Sequence, residues 1–252
     1  MKRLLKILIL PILHLIRRII FVIINHAIPD SHSTAFKYYK EDELRSSYNH
    51  FKKYFHDTIF LNQNKLRTYA INKAISNHKS SYYYIEFGVH TGYSSNLFSE
   101  ILKDIKIYCF DSFEGLREDY LGTGLSKGMF NLNKKVPKLN DNCVPVIGWI
   151  QDTLPEFISE NKDLKINFVH IDTDTYQTGI FILQQIKPYL INDSIIIFDQ
   201  LFNFPGWSVG EYKALIEVFR EEEYKFLAFA KDRSTSAVIK YKKYNTTNSN
   251  DI

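Results

Sequence analysis

Cysteine is nearly absent from this chain: there are two among 252 residues, Cys109 in a strand-like run and Cys143 in a loop. Two thiols cannot build a disulfide framework, which excludes the small stapled folds of secreted proteins and fits a reducing, cytoplasmic setting. Acid is absent from residues 1–27, which hold five basic groups (Lys2, Arg3, Lys6, Arg17 and Arg18). The remainder is close to neutral, with 27 basic against 28 acidic residues, so no basic surface supports binding to nucleic acid. Internal repeats are missing as well, which excludes solenoids and propellers. A long hydrophobic run is also lacking. The longest uncharged stretch before Arg17 and Arg18 spans ten residues, Ile7 to Ile16, and contains Pro11 and His14. Two arginines at mid-bilayer would cost about 2.5–3.5 kcal/mol each, and no small-residue cleavage site follows. On a helix, Arg3, Lys6, His14, Arg17 and Arg18 gather towards one side, opposite a broad apolar face. Residues 1–27 are therefore expected to form a basic amphipathic helix in peripheral contact with a membrane, at its cytoplasmic face. A signal-anchor span is one alternative. Packing of this helix on the domain or on a second subunit, giving a homo-oligomer, is another.

What the chain does have is enough apolar residue, 45%, to bury one full core, with an ordinary 24% of charged residues. The expected organisation is a helical extension over 28–81, one catalytic domain over 82–243 and a polar tail over 244–252. The stretch from His26 to Asn64 is polar and aromatic without clean periodicity, and Lys65–His78 reads as a helix. From Tyr82 onward strands and helices alternate. Tyr82–Ile85, Lys106–Phe110, Val144–Ile147, Ile166–Ile171 and Ser194–Phe198 read as strands. Ser95–Leu102, Thr178–Leu190 and Gly210–Glu222 read as helices, and Lys225–Ala230 with Ala237–Tyr241 as a terminal hairpin at the sheet edge. Short β-branched strands separated by helices predict an α/β fold with a doubly wound, mostly parallel, seven-stranded sheet.

The most informative segment runs from Ile85 to Ser95. An acid, Glu86, ends the first strand, and two glycines four apart, Gly88 and Gly92, precede a helix. Glycine permits a tight turn and close approach to a ligand. The third glycine of the dinucleotide fingerprint is missing. Asp111, directly after the second strand and followed by Ser112, is positioned to accept hydrogen bonds from ribose hydroxyls, or else to cap a helix beginning at Phe113. Trp149, with Gln151 and Asp152, can flank an adenine ring, although Asp152 or Thr153 could equally cap a helix starting near Pro155. Asp172, at the end of the fourth strand, and Asp199-Gln200, at the end of the fifth, offer three oxygen ligands suited to a hard divalent cation such as Mg2+. A metal-free arrangement with Asp172 as base is the other reading. The segment Arg117–Asn142, rich in glycine, is long enough either to cover a ligand or to be a plain surface excursion.

Glu86-Phe87-Gly88 with Gly92-Tyr93-Ser94 resembles the first motif of the class I S-adenosylmethionine-dependent methyltransferases. Phe110-Asp111-Ser112-Phe113-Glu114-Gly115-Leu116, Gly148-Trp149 with Asp152-Thr153-Leu154-Pro155, and His170-Ile171-Asp172 resemble the macrocin and mycinamicin sugar O-methyltransferases. The resemblance implies a Rossmann-like fold, S-adenosyl-L-methionine as cofactor, and a sugar hydroxyl of a small molecule or glycan as acceptor. By it Glu86, Gly88, Gly92, Ser94, Asp111, Ser112, Trp149 and Asp172 would hold the cofactor. Asp172 would be catalytic, and Asp172, Asp199 and Gln200 would hold a metal. Three departures stand out: Gln200 replaces an acid, Thr175 replaces the lysine base of catechol-type enzymes, and Phe204-Pro205-Gly206-Trp207 replaces the local macrolide-enzyme pattern. Two other classes fit the same sheet: a membrane-tethered module that binds the cofactor without catalysis, and a nucleotide-sugar or NAD enzyme.

Overall fold

Continuous apolar runs become the central strands because a parallel sheet is covered on both faces. A computed structural model describes residues 34–232 and 234–243 of the chain. In chain order the elements are α1 (Ala35–Phe55), β1 (Ile59–Leu61), α2 (Gln63–Ile75), β2 (Tyr83–Phe87), α3 (Tyr93–Leu102), β3 (Ile107–Asp111) and β4 (Cys143–Ile147). They continue with α4 (Ile150–Glu160), β5 (Ile166–Ile171), α5 (Tyr176–Ile186), β6 (Leu190–Phe198), α6 (Glu211–Val218), β7 (Tyr224–Ala230) and β8 (Ala237–Tyr241). Every residue of β5 is buried. The basic stretch 1–27 and the tail 244–252 lie outside the described residues. The chain divides into Met1–Glu41 and Asp42–Ile252, and the site belongs to the second unit. Among the described residues no helix is long and apolar enough to cross a membrane.

Among the described residues the sheet has eight strands rather than the expected seven, in the order β1-β7-β8-β6-β5-β2-β3-β4. The added strand is β1, three residues too short and too exposed to show alternation, which pairs parallel with β7. The closing hairpin is not at the edge. Its second strand, β8, lies antiparallel between β6 and β7, so β1 forms the rim. Helix α1 was hidden for a related reason. From Asp42 onward only Ser47 and Phe51 are buried, so the helix carries no apolar stripe. Phe51 is its one buried ring, meeting Trp207, Tyr212, Phe202 and Phe229 at ring centroid distances of 4.9–5.9 Å, and His50, Tyr54 and Phe55 add partly buried contacts with Tyr212, Phe226 and Phe229.

Two expected helices end early. After Ile186 a 3-10 turn over Lys187–Tyr189 leads straight into β6, which starts at Leu190 and passes Asp193 in the left-handed region before its buried half. Helix α6 stops at Val218, and a separate 3-10 turn covers Glu221–Glu223. Helix α4 begins at Ile150 and carries Pro155 inside it, so the helix does not start near Pro155 as the proline suggested.

Chain direction reverses about β2: β3 and β4 are added on one side, β5 and β6 on the other. Such a switch point leaves a crevice at the carboxyl ends of the strands.

Candidate active site

Register builds the site. Phe87 of β2 lies opposite Phe110 of β3 and Ile171 of β5, and Ile171 lies opposite Phe198 of β6. The next residue of each strand therefore emerges at one level: Gly88, Asp111, Asp172 and Asp199. Gly88 must be glycine because its φ is +89° and an added Cβ would sit 1.9 Å from the Asp172 carbonyl oxygen. The two backbones at the switch point touch there, which is what brings Asp172 to the glycine turn.

A cavity of about 310 Å³ opens at this level, with Gly88, Asp111, Ser112, Trp149, Asp172 and Gln200 in its walls and Arg117, Phe130, Gln151 and Thr173 among its other lining residues. Arg117, Gly115, Leu116 and Phe130 come from the long segment after β3, which contains no helix. That segment is folded back on itself by the pair Leu116 N to Met129 O and Gly128 N to Leu116 O, both 2.9 Å. The Arg117 guanidinium lies 5.4 Å from the Trp149 ring centroid and donates to Gln151 Oε1 at 2.7 Å, so a flat cationic and aromatic wall faces the cavity. The Thr173 hydroxyl is buried in the lining without a partner, an orphan that a bound polar ligand would satisfy. A second cavity of about 260 Å³ adjoins the first across Asp174 and Thr175, with Glu118, Asp119, Tyr120 and Tyr176 in its walls.

Asp111 caps no helix. Its Oδ2 accepts the backbone N–H groups of Val89 and His90, both at 2.8 Å, and its Oδ1 accepts that of Phe113 at 2.7 Å. His90 (φ 47°) and Phe113 (φ 55°) both sit in the left-handed region, so one carboxylate clamps two strained turns beside the cavity.

Behind the cavity lies a chain of charged groups. His170 Nδ1 meets Glu86 Oε1 at 2.8 Å with both side chains fully buried, and Ser95 Oγ donates to Glu86 Oε2. His170 Nε2 is 3.6 Å from Asp199 Oδ1. Arg67 Nη2 donates to Asp199 Oδ1 at 2.7 Å and lies 3.7 Å from Asp172 Oδ2. Burial alone would lower the His170 pKa, but the carboxylates of Asp199 and Glu86 outweigh it and push it up to about 9. Loss of water and the facing Asp199 carboxylate push Asp172 above the usual carboxylate range, and the same two causes bring Asp174 up to about 7. Asp199 goes the other way: His170 and Arg67 outweigh its burial and hold it low. Glu211 is fully buried and pushed well up by that burial, with Oε2 accepting the Gln200 N–H at 3.1 Å.

Residues 85–201 match a family model described as a methyltransferase domain. Calicheamicin methyltransferase CalS11 superposes with a TM-score of 0.60 at 18% identity, over 84% of this chain and 95% of that one. The fold is that of the Rossmann-like methyltransferases. A second, apo structure of CalS11 gives a TM-score of 0.53 at 20% identity, over 71% of this chain and 79% of that one. The O-methyltransferase NovP gives 0.53 at 16% identity, over 72% and 80%. A comparison with curated proteins finds no match.

On this methyltransferase fold the expected residues divide into two groups. Gly88, Asp111, Ser112, Trp149, Asp172 and Gln200 line the cavity. Glu86, Gly92 and Ser94 are not among its lining residues. The Glu86 carboxylate is engaged by Ser95 and His170, Gly92 (φ +80°) starts α3, and Ser94 is buried in the first turn of that helix. Asp172 and Asp199 do converge, and one ligand atom from each lies within 4.8 Å of one from His170. The donor set does not fit a metal. Asp199 Oδ1 already accepts from Arg67, Ser236 (3.0 Å) and Gln63 (3.2 Å), and Oδ2 from Gln63 (3.2 Å) and Gln200 (3.3 Å). A carboxylate has about four lone-pair sites. Arg67 and Gln63 escaped the sequence reading because they precede the motif region on α2. The available signal was an arginine next to the buried face of Leu66, Ala70, Ile71 and Ala74.

Proposed function

We propose that the chain transfers a methyl group from S-adenosylmethionine to a hydroxyl oxygen, with a sugar as acceptor. The observation that carries this reading is the common level of Gly88, Asp111 and Asp172 around one cavity at the switch point. Asp111 would hold the ribose through the one lone-pair site left on Oδ1, while three backbone N–H groups fix its orientation. Trp149 and Arg117 would flank the base, and Thr173 and Ser112 would supply further polar contacts. When bound, the cofactor supplies a methyl carbon made electrophilic by an adjacent sulfonium. The protein's task is then alignment: acceptor oxygen, methyl carbon and sulfur must lie in a line. The new oxygen–carbon bond takes an oxygen lone pair as the carbon–sulfur bond breaks. The cofactor would supply the methyl group and carry away the carbon–sulfur bonding pair as a neutral thioether. The hydroxyl proton passes to the Asp172 carboxylate, which reaches the cavity.

The adjoining cavity is the proposed acceptor side because it shares Asp174 and Thr175 with the first. Glu118, Asp119 and Asp174 line it, so its field favours a neutral or amine-bearing sugar over a phosphate-bearing one. CalS11 is described as a TDP-rhamnose 3'-O-methyltransferase, which makes sugars the first acceptors to try. The test is incubation with S-adenosylmethionine and a panel of neutral, amino and phosphorylated sugars, following S-adenosylhomocysteine by mass spectrometry. Asp172→Asn should abolish turnover while leaving cofactor affinity within a fewfold of wild type. Full turnover in that variant removes Asp172 from its role.

A further inference from the structure

We propose that the Arg67 guanidinium is the resident cation of this site, standing beside the two carboxylates that a divalent metal would have to share. The argument begins with geometry. Arg67 Nη2 lies 2.7 Å from Asp199 and 3.7 Å from Asp172, the two carboxylates that would have to share an ion. An ion between them would meet a fixed positive charge that cannot be shed, because a guanidinium stays protonated in proteins. Arg67 cannot easily step aside either. It is 6% exposed, on α2, whose Leu66, Ala70, Ile71 and Ala74 are fully buried against the core.

Three further donors occupy the Asp199 carboxylate. Gln63 Nε2 lies 3.2 Å from both oxygens of Asp199, and Ser236 Oγ donates to Oδ1 at 3.0 Å. Gln200, where an acid would have added a ligand charge, directs its amide nitrogen at Asp172 and Asp199, at 3.3 Å from each. An amide rather than an acid at Gln200 and a cation at Arg67 both reduce the negative charge around Asp172 and Asp199. Two carboxylates facing one guanidinium need far less further positive charge than three carboxylates would.

Arg67 is not among the cavity-lining residues, so it acts as a positioning residue. It holds Asp172 at the cavity and keeps two like charges together. That role rests on the methyltransferase reading; the absence of metal affinity does not. The test uses the full chain, stripped with EDTA and titrated with Mn2+ while the free-ion signal is followed by electron paramagnetic resonance. The expected result is no uptake at one equivalent, together with S-adenosylmethionine binding by calorimetry that EDTA leaves unchanged. Stoichiometric Mn2+ uptake that Asp199→Asn removes would overturn the proposal. Arg67→Met should lose roughly a hundredfold in turnover through misplacement of Asp172, and Arg67→Lys should recover part of it. Arg67→Met with wild-type kcat would overturn the positioning role. Should Arg67→Met fail to fold, the wild-type titration still decides between the two outcomes. Should S-adenosylmethionine fail to bind at all, the proposed function falls while the Mn2+ result stands.

Discussion

Asp111→Asn tests whether the carboxylate after β3 organises the site before any ligand arrives. In the folded protein it accepts three backbone N–H groups, from Val89 and His90 on Oδ2 and from Phe113 on Oδ1, at 2.7–2.8 Å. Asparagine has nearly the same shape but one acceptor oxygen. If that oxygen stays on Val89 and His90, its amide group faces the Phe113 N–H, donor against donor. One charge-assisted bond worth about 1.5–3 kcal/mol is then lost, and the other two fall towards the 0.5–1.5 kcal/mol of neutral bonds. The turns at His90 and Phe113 are also held in the left-handed region, at an expense of about 1–3 kcal/mol each. Since Asp111 is partly exposed, water replaces part of what is lost. A drop of about 2–4 kcal/mol in unfolding free energy is expected from urea denaturation followed by circular dichroism. Cofactor affinity, measured by calorimetry on the folded fraction, should fall as well. A stability change below about 0.5 kcal/mol, with affinity alone affected, would refute the clamp.

The other consequences are simpler to state. Gly88→Ala puts a Cβ 1.9 Å from the Asp172 carbonyl oxygen at a φ of +89°, so either the switch point opens or the chain does not fold. Thermal denaturation should show a loss of at least about 3 kcal/mol, and an unchanged melting temperature would contradict it. His170 gives a pH signature. Its folded-state pKa is raised to about 9, so its contribution is complete below the unfolded value near 6.5 and is lost as pH climbs through 9. The stability gap between wild type and His170→Asn should therefore shrink by about 3 kcal/mol between pH 6 and pH 10. A gap independent of pH would mean that His170 is neutral beside Glu86. EDTA should leave turnover of the wild-type chain unchanged, as the Arg67 cation requires.

The strands that carry the site were readable because burial on both faces demands continuous apolar runs, and Ile166–Ile171 and Ala237–Tyr241 have the expected bounds. So were the acids at the strand ends, since Asp111, Asp172 and Asp199 each directly follow such a run, and Gly88 follows the first one after Glu86 and Phe87. What escaped was whatever lacked a repeating pattern. Helix α1 buries one ring, Phe51, with its other contacts only partly buried, and β1 is a three-residue strand completed by its pairing with β7. Glu86 shows the same divide within one motif. Its position at a strand end is visible in the chain, but the face its carboxylate takes, towards Ser95 and His170, depends on α3 and β5.

Local chemistry was enough to say that a parallel sheet is punctuated by acids where ligands gather, because periodicity and turn residues are properties of neighbours in the chain. The occupancy of the space between Asp172 and Asp199 is a property of the folded state. Arg67 lies 105 and 132 residues before them, and only the packing of α2 against the sheet puts its guanidinium between their carboxylates. Electrostatic partners separated by such distances leave no periodic trace; His170 and Arg67 outweigh burial to hold Asp199 low, whereas burial and the facing Asp199 carboxylate keep Asp172 high.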